Sequence, residues 1–303
     1  MTPSGLQAQA QALVLALSLS ACGSSLSVKN AETFSRALDT TTVAADAGLR
    51  RLADMDVADQ DVRAADAFVF DGGALNLALD RSLLDEIEKR RAILRALHRY
   101  ADALAAVVSI KDRDTLDAAL AHAGDDIGAV AADFDGGGDD LAQTASDAFR
   151  FIAVRLIAHD LDKKLAPIVR GAHGDLQRVV VQYKTDLRND AGGGFIALLD
   201  GAIAGQVAHR RKMLMVLRKD RRTDREALYD AVIKARQDVR ALERTRDAFD
   251  ALPPALDSLL AAHAALAEPA SSDAAATAAL FAEDARQLAA IFEDLRQDRN
   301  ETP

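Results

Sequence analysis

Between Cys22 and Leu252 the chain holds a single proline, Pro167. Proline removes a backbone donor and clashes with the preceding turn, so it breaks helix interiors. A stretch this long with so little of it is free to form long helices. The apolar residues repeat at helical spacing. Leu116, Leu120, Ala123, Ile127, Val130 and Phe134 alternate steps of four and three, as do Leu176, Val180, Tyr183 and Leu187. The pattern recurs in Leu228, Val232, Ala235, Val239 and Leu242, and again in Phe281, Ala285, Leu288, Phe292 and Leu295. Such stripes are the seams of antiparallel bundles and coiled coils. No comparable alternation marks a strand. The expected fold is all-α, an elongated antiparallel multi-helix bundle with coiled-coil-like seams.

The breaks divide the chain. A first helix is expected over 28–69, with Phe34, Leu38, Ala45, Leu49 and Leu52 on its seam, and a second over 75–110, with Ile87, Leu94, Leu97 and Leu104. Arg90 falls inside that second stripe and should snorkel or find a carboxylate. A turn at 111–114, capped by Asp112 or Asp114, leads to a third helix ending near Asp135. The stretch 140–190 should be kinked or split by Pro167 and the Gly171–Gly174 segment. Gly192 to Gly194 stops it, and another helix runs to about 220. Thr223 and Glu226 fit a capping box for a helix reaching Leu252, before Pro253 and Pro254. A short helix from Ala255 to Ala267 and a last one over 273–299, capped by Ser271 or Ser272, complete the set. The glycine run sets the expected boundary between a helical bundle at 28–190 and a second sub-bundle at 195–299, with 300–303 as a tail. Short connections make sequential helices antiparallel neighbours.

Charged residues at 28% and hydrophobic ones at 50% argue against disorder. Aromatics are 4% and there is no Trp, so alanine does much of the apolar packing. A lone cysteine excludes an internal disulfide framework. A formal charge of −10 argues against nucleic acid as a partner.

The N-terminus carries an address. Residues 12–21 form a short run of small and branched apolar side chains. A membrane-spanning helix needs about 20 apolar residues; this run is half that length and fits the apolar core of a secretory signal. It ends in Leu19-Ser20-Ala21-Cys22, followed by Gly23, Ser24 and Ser25, a flexible polar tether. The segment resembles the lipobox of bacterial lipoproteins. The resemblance implies a signal peptide at 1–21, cleavage before Cys22, and acylation of that cysteine as the first residue of a mature chain tethered through 22–27. It implies palmitate and a membrane anchor. Gly23 stands where enterobacterial relatives retained at the inner membrane carry aspartate. The resemblance therefore places the chain at the periplasmic face of the outer membrane rather than at the inner one.

Few residues suggest chemistry. The histidines are His98, His122, His159, His173, His209 and His263, and none lies in His-Glu-x-x-His or Glu-x-x-His. His159 and His263 fall on or near apolar stripes and read as satisfied core histidines. The acidic loop from Asp133 to Asp140 offers oxygens that would suit calcium. Gly137 and Thr144, however, occupy positions where an EF-hand needs ligands, so it reads as a solvated turn. Asp54, Asp56, Asp59 and Asp61 read as a wet helix face. No phosphate loop, dinucleotide fingerprint or Gly-x-Ser-x-Gly is present, and no catalytic residue, metal or cofactor is expected.

One segment breaks the acidity. Arg210, Arg211, Lys212, Arg218, Lys219, Arg221 and Arg222 cluster around Met213 to Leu217, at one hairpin tip. They complement a helix C-terminus and form a candidate contact surface for anionic lipid, cell-wall polymer or an acidic envelope protein. The expected function is a lipid-anchored, non-catalytic periplasmic scaffold or adaptor. The rival is a periplasmic carrier for a small apolar ligand or lipid, for which a continuous apolar cavity above about 300 Å³ would speak.

Overall fold

The structure, a computed structural model, describes residues 4–69, 77–109, 113–133, 140–158, 165–188, 194–220, 223–267 and 273–297, with side chains from Val28 onward except at 69, 113, 130–133, 140–142, 155–158, 165 and 295–297. The described residues form helices α1 (Ser4–Val69), α2 (Ser82–Ser109), α3 (Arg113–Asp133), α4 (Asp140–Ala158), α5 (Leu165–Leu187), α6 (Phe195–Lys219), α7 (Arg225–Asp250), α8 (Leu252–Leu266) and α9 (Asp273–Gln297). There is no strand among them, and the helices pack against one another as an all-α bundle.

α1 is the spine. Its 66 residues extend about 100 Å at 1.5 Å per residue, and it begins well before the expected residue 28. α2 runs antiparallel to it. Ser35 Oγ donates to the Ala101 carbonyl at 2.6 Å, and Arg91 Nε donates to Asp46 at 2.7 Å. The segment just ahead of α2 is clamped to α1 by Gln60, whose amide donates to the Asp80 carbonyl at 2.8 Å and accepts the Asp80 N–H at 2.7 Å. Asp80 in turn accepts the Ser82 N–H at 3.0 Å. The Ser82 backbone and hydroxyl bonds hold the Asp80 carboxyl below its ordinary range. The cap explains why α2 starts at Ser82 and not at 75.

α9 lies on α1 in the same direction. Phe281 meets Phe34, and further along Phe292 covers Gly48, where a Cβ would fall 2.1 Å from the ring. α8 bridges α5 and α9: Lys184 pairs with Asp257, and the Ser258 hydroxyl donates to Asp284. One apolar cluster runs from Ala31 to Phe292 and takes in residues from both sides of the Gly192–Gly194 break. The stripes expected in α1, α2 and α5 are buried, as are those of α3 from Leu116 to Ile127 and of α9 from Phe281 to Phe292.

Four local expectations are corrected. α4 ends at Ala158 and α5 begins at Leu165, so Pro167 sits in the first turn of α5. There its missing N–H costs nothing, and α5 continues through Gly171 and Gly174. Pro253 and Pro254 likewise open α8 instead of lying outside it, so α8 starts at Leu252. The capping box at Thr223 does not form: Thr223 N–H closes a turn on the Asp220 carbonyl, and Asp224 takes the N-cap position without a side-chain hydrogen bond. Asp114 lies inside α3 rather than capping it. Asp112, Ser271 and Ser272 lie outside the described residues.

Candidate functional site

The stripe of α7 behaves unlike the others. Leu242 is buried, but Leu228, Val232, Ala235 and Val239 are only half-buried. No residue of 207–220 or of 223–241 is buried. Those halves of α6 and α7 pair with each other and, apart from the contact of His209 with Asp66 of α1, stand off the bundle as a two-helix arm.

The foot of the arm is well held. Phe195 opens α6, packs edge-on against Phe249 of α7, and lies under the Arg90 guanidinium at 4.3 Å. Phe249 in turn meets Phe292. Arg90 is 1% exposed. It reaches the Glu86 carboxylate at 2.8 Å and the Glu86 carbonyl at 2.6 Å, and pairs with Asp186 of α5 at 2.6 Å. Burial pushes the Glu86 carboxyl up, but the bonds from Lys89 and Arg90 outweigh it and hold the group below its ordinary value. The arginine therefore finds carboxylates rather than snorkelling.

Further along, α6 passes the end of α1. His209 Nε2 lies against Asp66, and Arg210 pairs with Asp238 of α7 at 2.6 Å. Asp59 of α1 pairs with Arg63 at 2.8 Å and lies in the field of Arg210 and His209. Asp56 and Asp59 are buried, which corrects their reading as a wet face. Burial raises both carboxyls above their ordinary value against the pull of Gln60 on the first and Arg63 on the second. A cleft of about 1310 Å³ separates α1 from α7 here, lined by charges of both signs.

α6 runs from the level of Gly48 on α1 to the level of Asp66 and then past it. By helix rise, Cys22 lies about 65 Å from Asp66, and α6 continues about 15 Å beyond His209 to Lys219. The basic tip and the cysteine are at opposite ends of the molecule.

The outer side of the arm is a groove of about 550 Å³ between α6 and α7. Its floor is apolar, built from Leu214 of α6 and Leu228, Val232, Ala235 and Val239 of α7. Its rim carries Arg210, Arg211 and Arg218 from one helix and Arg236 and Arg240 from the other, against one acid, Glu243. Across 207–241 there are eleven Lys and Arg against five Asp and Glu, a formal +6 in a chain of −10. Of the basic residues named from the sequence, Arg210, Arg211 and Arg218 line the groove, while Lys212 and Lys219 lie exposed on α6 outside it. Arg221 and Arg222 lie outside the described residues. Arg236 and Arg240 were not singled out, because in the mixed-charge run of α7 they read as an ordinary solvated face. Their spacing of four residues was the available signal.

The histidine expected in the core is there. His263 of α8 is fully buried, with its Nε2 2.7 Å from the Tyr100 hydroxyl and its Nδ1 3.0 Å from Nδ1 of His173. The hydroxyl is best used as donor to Nε2, which places the His263 proton on Nδ1, donating to His173. Burial, and secondarily His173, pull the His263 pKa down to about 3. Burial also pushes the Tyr100 phenol up. Neither the cleft nor the groove is lined by any of the three. They act as a polar pin joining α2, α5 and α8.

Among the described residues no group of three or more His, Cys, Asp or Glu side chains is placed to hold a metal, and no helix is long and apolar enough to cross a membrane. His159 and the loop at 134–139 lie outside the described residues, as does the side chain of Cys22. Comparison of the chain with family models, curated proteins and solved structures finds no match.

Proposed function

We propose that this chain is a lipid-anchored, non-catalytic helical adaptor of the bacterial envelope. Acylation at Cys22 holds one end to a membrane, at the periplasmic face of the outer membrane. The bundle acts as a spacer, and the arm at the other end meets an anionic partner. One observation carries the reading: a basic arm with no buried residue over 207–220 and 223–241 stands at the end of the molecule remote from the lipobox-like cysteine. A bundle that needed these helices for its own stability would cover them, since a helix stripe normally buries against another element.

The anchor is tested by metabolic labelling with tritiated palmitate in a Gram-negative host. The wild-type chain takes up label and partitions with the outer membrane, and Cys22→Ala loses both. An unlabelled wild-type chain in a competent host would refute the proposal.

The carrier reading draws support from the same groove, which exceeds the 300 Å³ or so of a small-molecule site and has an apolar floor. It requires a ligand that copurifies with the protein. Native mass spectrometry of the protein, purified without detergent, would detect such a mass.

A further inference from the structure

We infer that the α6–α7 groove is the docking site for an amphipathic helix of a partner protein, one whose apolar stripe is flanked by aspartate or glutamate. The inference deepens the adaptor reading by naming the partner's chemistry, and it rests on that reading.

Shape comes first. Two antiparallel helices with a half-buried seam are two parts of a three-helix unit, and a third helix laid along them would bury the seam from outside. The groove extends on α6 from Val207 to Arg218, about 16 Å or three turns of helix. That length seats apolar side chains at i, i+3 or i+4, and i+7 of an occupant, as grooves that bind helices do. The floor residues Leu214, Leu228, Val232, Ala235 and Val239 are recessed and half-buried, with Val207 and Met215 exposed beside them on α6. A recessed floor accepts a ridge.

Charge selects the occupant. Arg211 and Arg218 stand exposed on one lip, and Arg236 and Arg240 on the other. Among the described residues Arg211 and Arg218 make no ion pair. Carboxylates on both flanks of a docked helix would meet both lips, and lysines there would be repelled. The same field opposes pairing of two arms with each other, since each carries a formal +6 over 207–241.

The test is fluorescence anisotropy with the full chain carrying Cys22→Ser. The probe is a synthetic helix with a leucine stripe and glutamate flanks. The controls are the same stripe with lysine flanks and a scramble of the glutamate peptide. The expected result is binding at least about tenfold tighter for the glutamate helix than for either control, a difference of about 1.4 kcal/mol. Arg211→Glu with Arg218→Glu should remove that preference, and Val232→Glu should weaken binding by about tenfold or more. Arg211 and Arg218 are exposed, so the charge reversal should keep the wild-type Tm, and circular dichroism checks that Val232→Glu, in the half-buried seam, keeps its helices. Equal binding of the glutamate helix and its scramble would overturn the inference. So would arginine-dependent binding to phosphatidylglycerol vesicles or to oleate without peptide binding, which would assign the groove to lipid. A dimer in sedimentation that the charge reversal dissolves would assign it to a second copy and overturn it too. Failure of palmitate labelling removes the adaptor reading; a labelled chain without peptide preference removes only the partner helix.

Discussion

Lowering the pH from 7 to 5 should weaken the fold through His263. The ring is fully buried and has its pKa pulled down to about 3, against an ordinary 6.5. The folded state keeps it neutral while the unfolded chain binds a proton as the pH drops below 6.5. Stability from this group is therefore complete above the unfolded pKa and is lost progressively as pH falls toward the folded one. Between pH 7 and 5 the linkage amounts to about 2 kcal/mol, at 1.36 kcal/mol per pKa unit. The polar groups facing the ring are His173 from α5 and Tyr100 from α2, with Phe34 of α1 beside them, and none supplies a negative charge that would rescue the imidazolium. The assay is urea unfolding of the wild type and His263→Leu at both pH values. His263→Leu should lose about 1–3 kcal/mol at pH 7, because the Tyr100 hydroxyl loses its acceptor. Its loss on going to pH 5 should be smaller than the wild type's by about 2 kcal/mol. Equal pH dependence in the two proteins would refute the placement of a neutral histidine in this core.

Other perturbations read other joints. Gly48→Ala places a methyl group against the Phe292 ring; overpacking of about 1–3 kcal/mol outweighs a helix-propensity gain of up to about 1, so Tm should fall by a few degrees in calorimetry. Arg90→Met leaves Asp186 and Glu86 without their buried cation and should cost about 3 kcal/mol in urea unfolding. Because Arg90 also covers Phe195, hydrogen exchange at the foot of α6 should rise in that variant. Asp56→Asn removes a carboxyl whose pKa burial has raised. It should leave stability at pH 7 unchanged or higher, and the difference from wild type should vanish in acid, where the native aspartate is already protonated.

Helix period carried most of the fold. Leu176, Val180, Tyr183 and Leu187 sit on a seam because that spacing puts them on one face, and the face meets α8 or α4. The α7 stripe from Leu228 to Val239 has the same spacing and stays half-open. Periodicity describes one helix, whereas burial needs a neighbour, and past Leu242 none arrives on the outer side. Asp56 and Asp59 mislead in the reverse direction: a run of aspartates looks solvated until Gln60, which also clamps Asp80, bonds the first and α6 brings His209 and Arg210 near the second. Pro167 read as a breaker because a residue type does not reveal its register within a turn. The basic side of the groove was legible at Arg210, Arg211 and Arg218. Its second lip, at Arg236 and Arg240, depends on the pairing of α6 with α7, which fixes which face of α7 points the same way.

The separation between the chain's two working ends is the most direct test of the whole account. With Cys22 changed to serine, dyes placed by Lys29→Cys and Lys219→Cys should report by single-molecule energy transfer a separation of about 70 Å, from the rise along α1 and then α6. That value would keep the basic arm away from the membrane holding the other end. A separation of about half that would mean the arm folds back beside the start of α1, and a spacer that presents it at a distance would be ruled out.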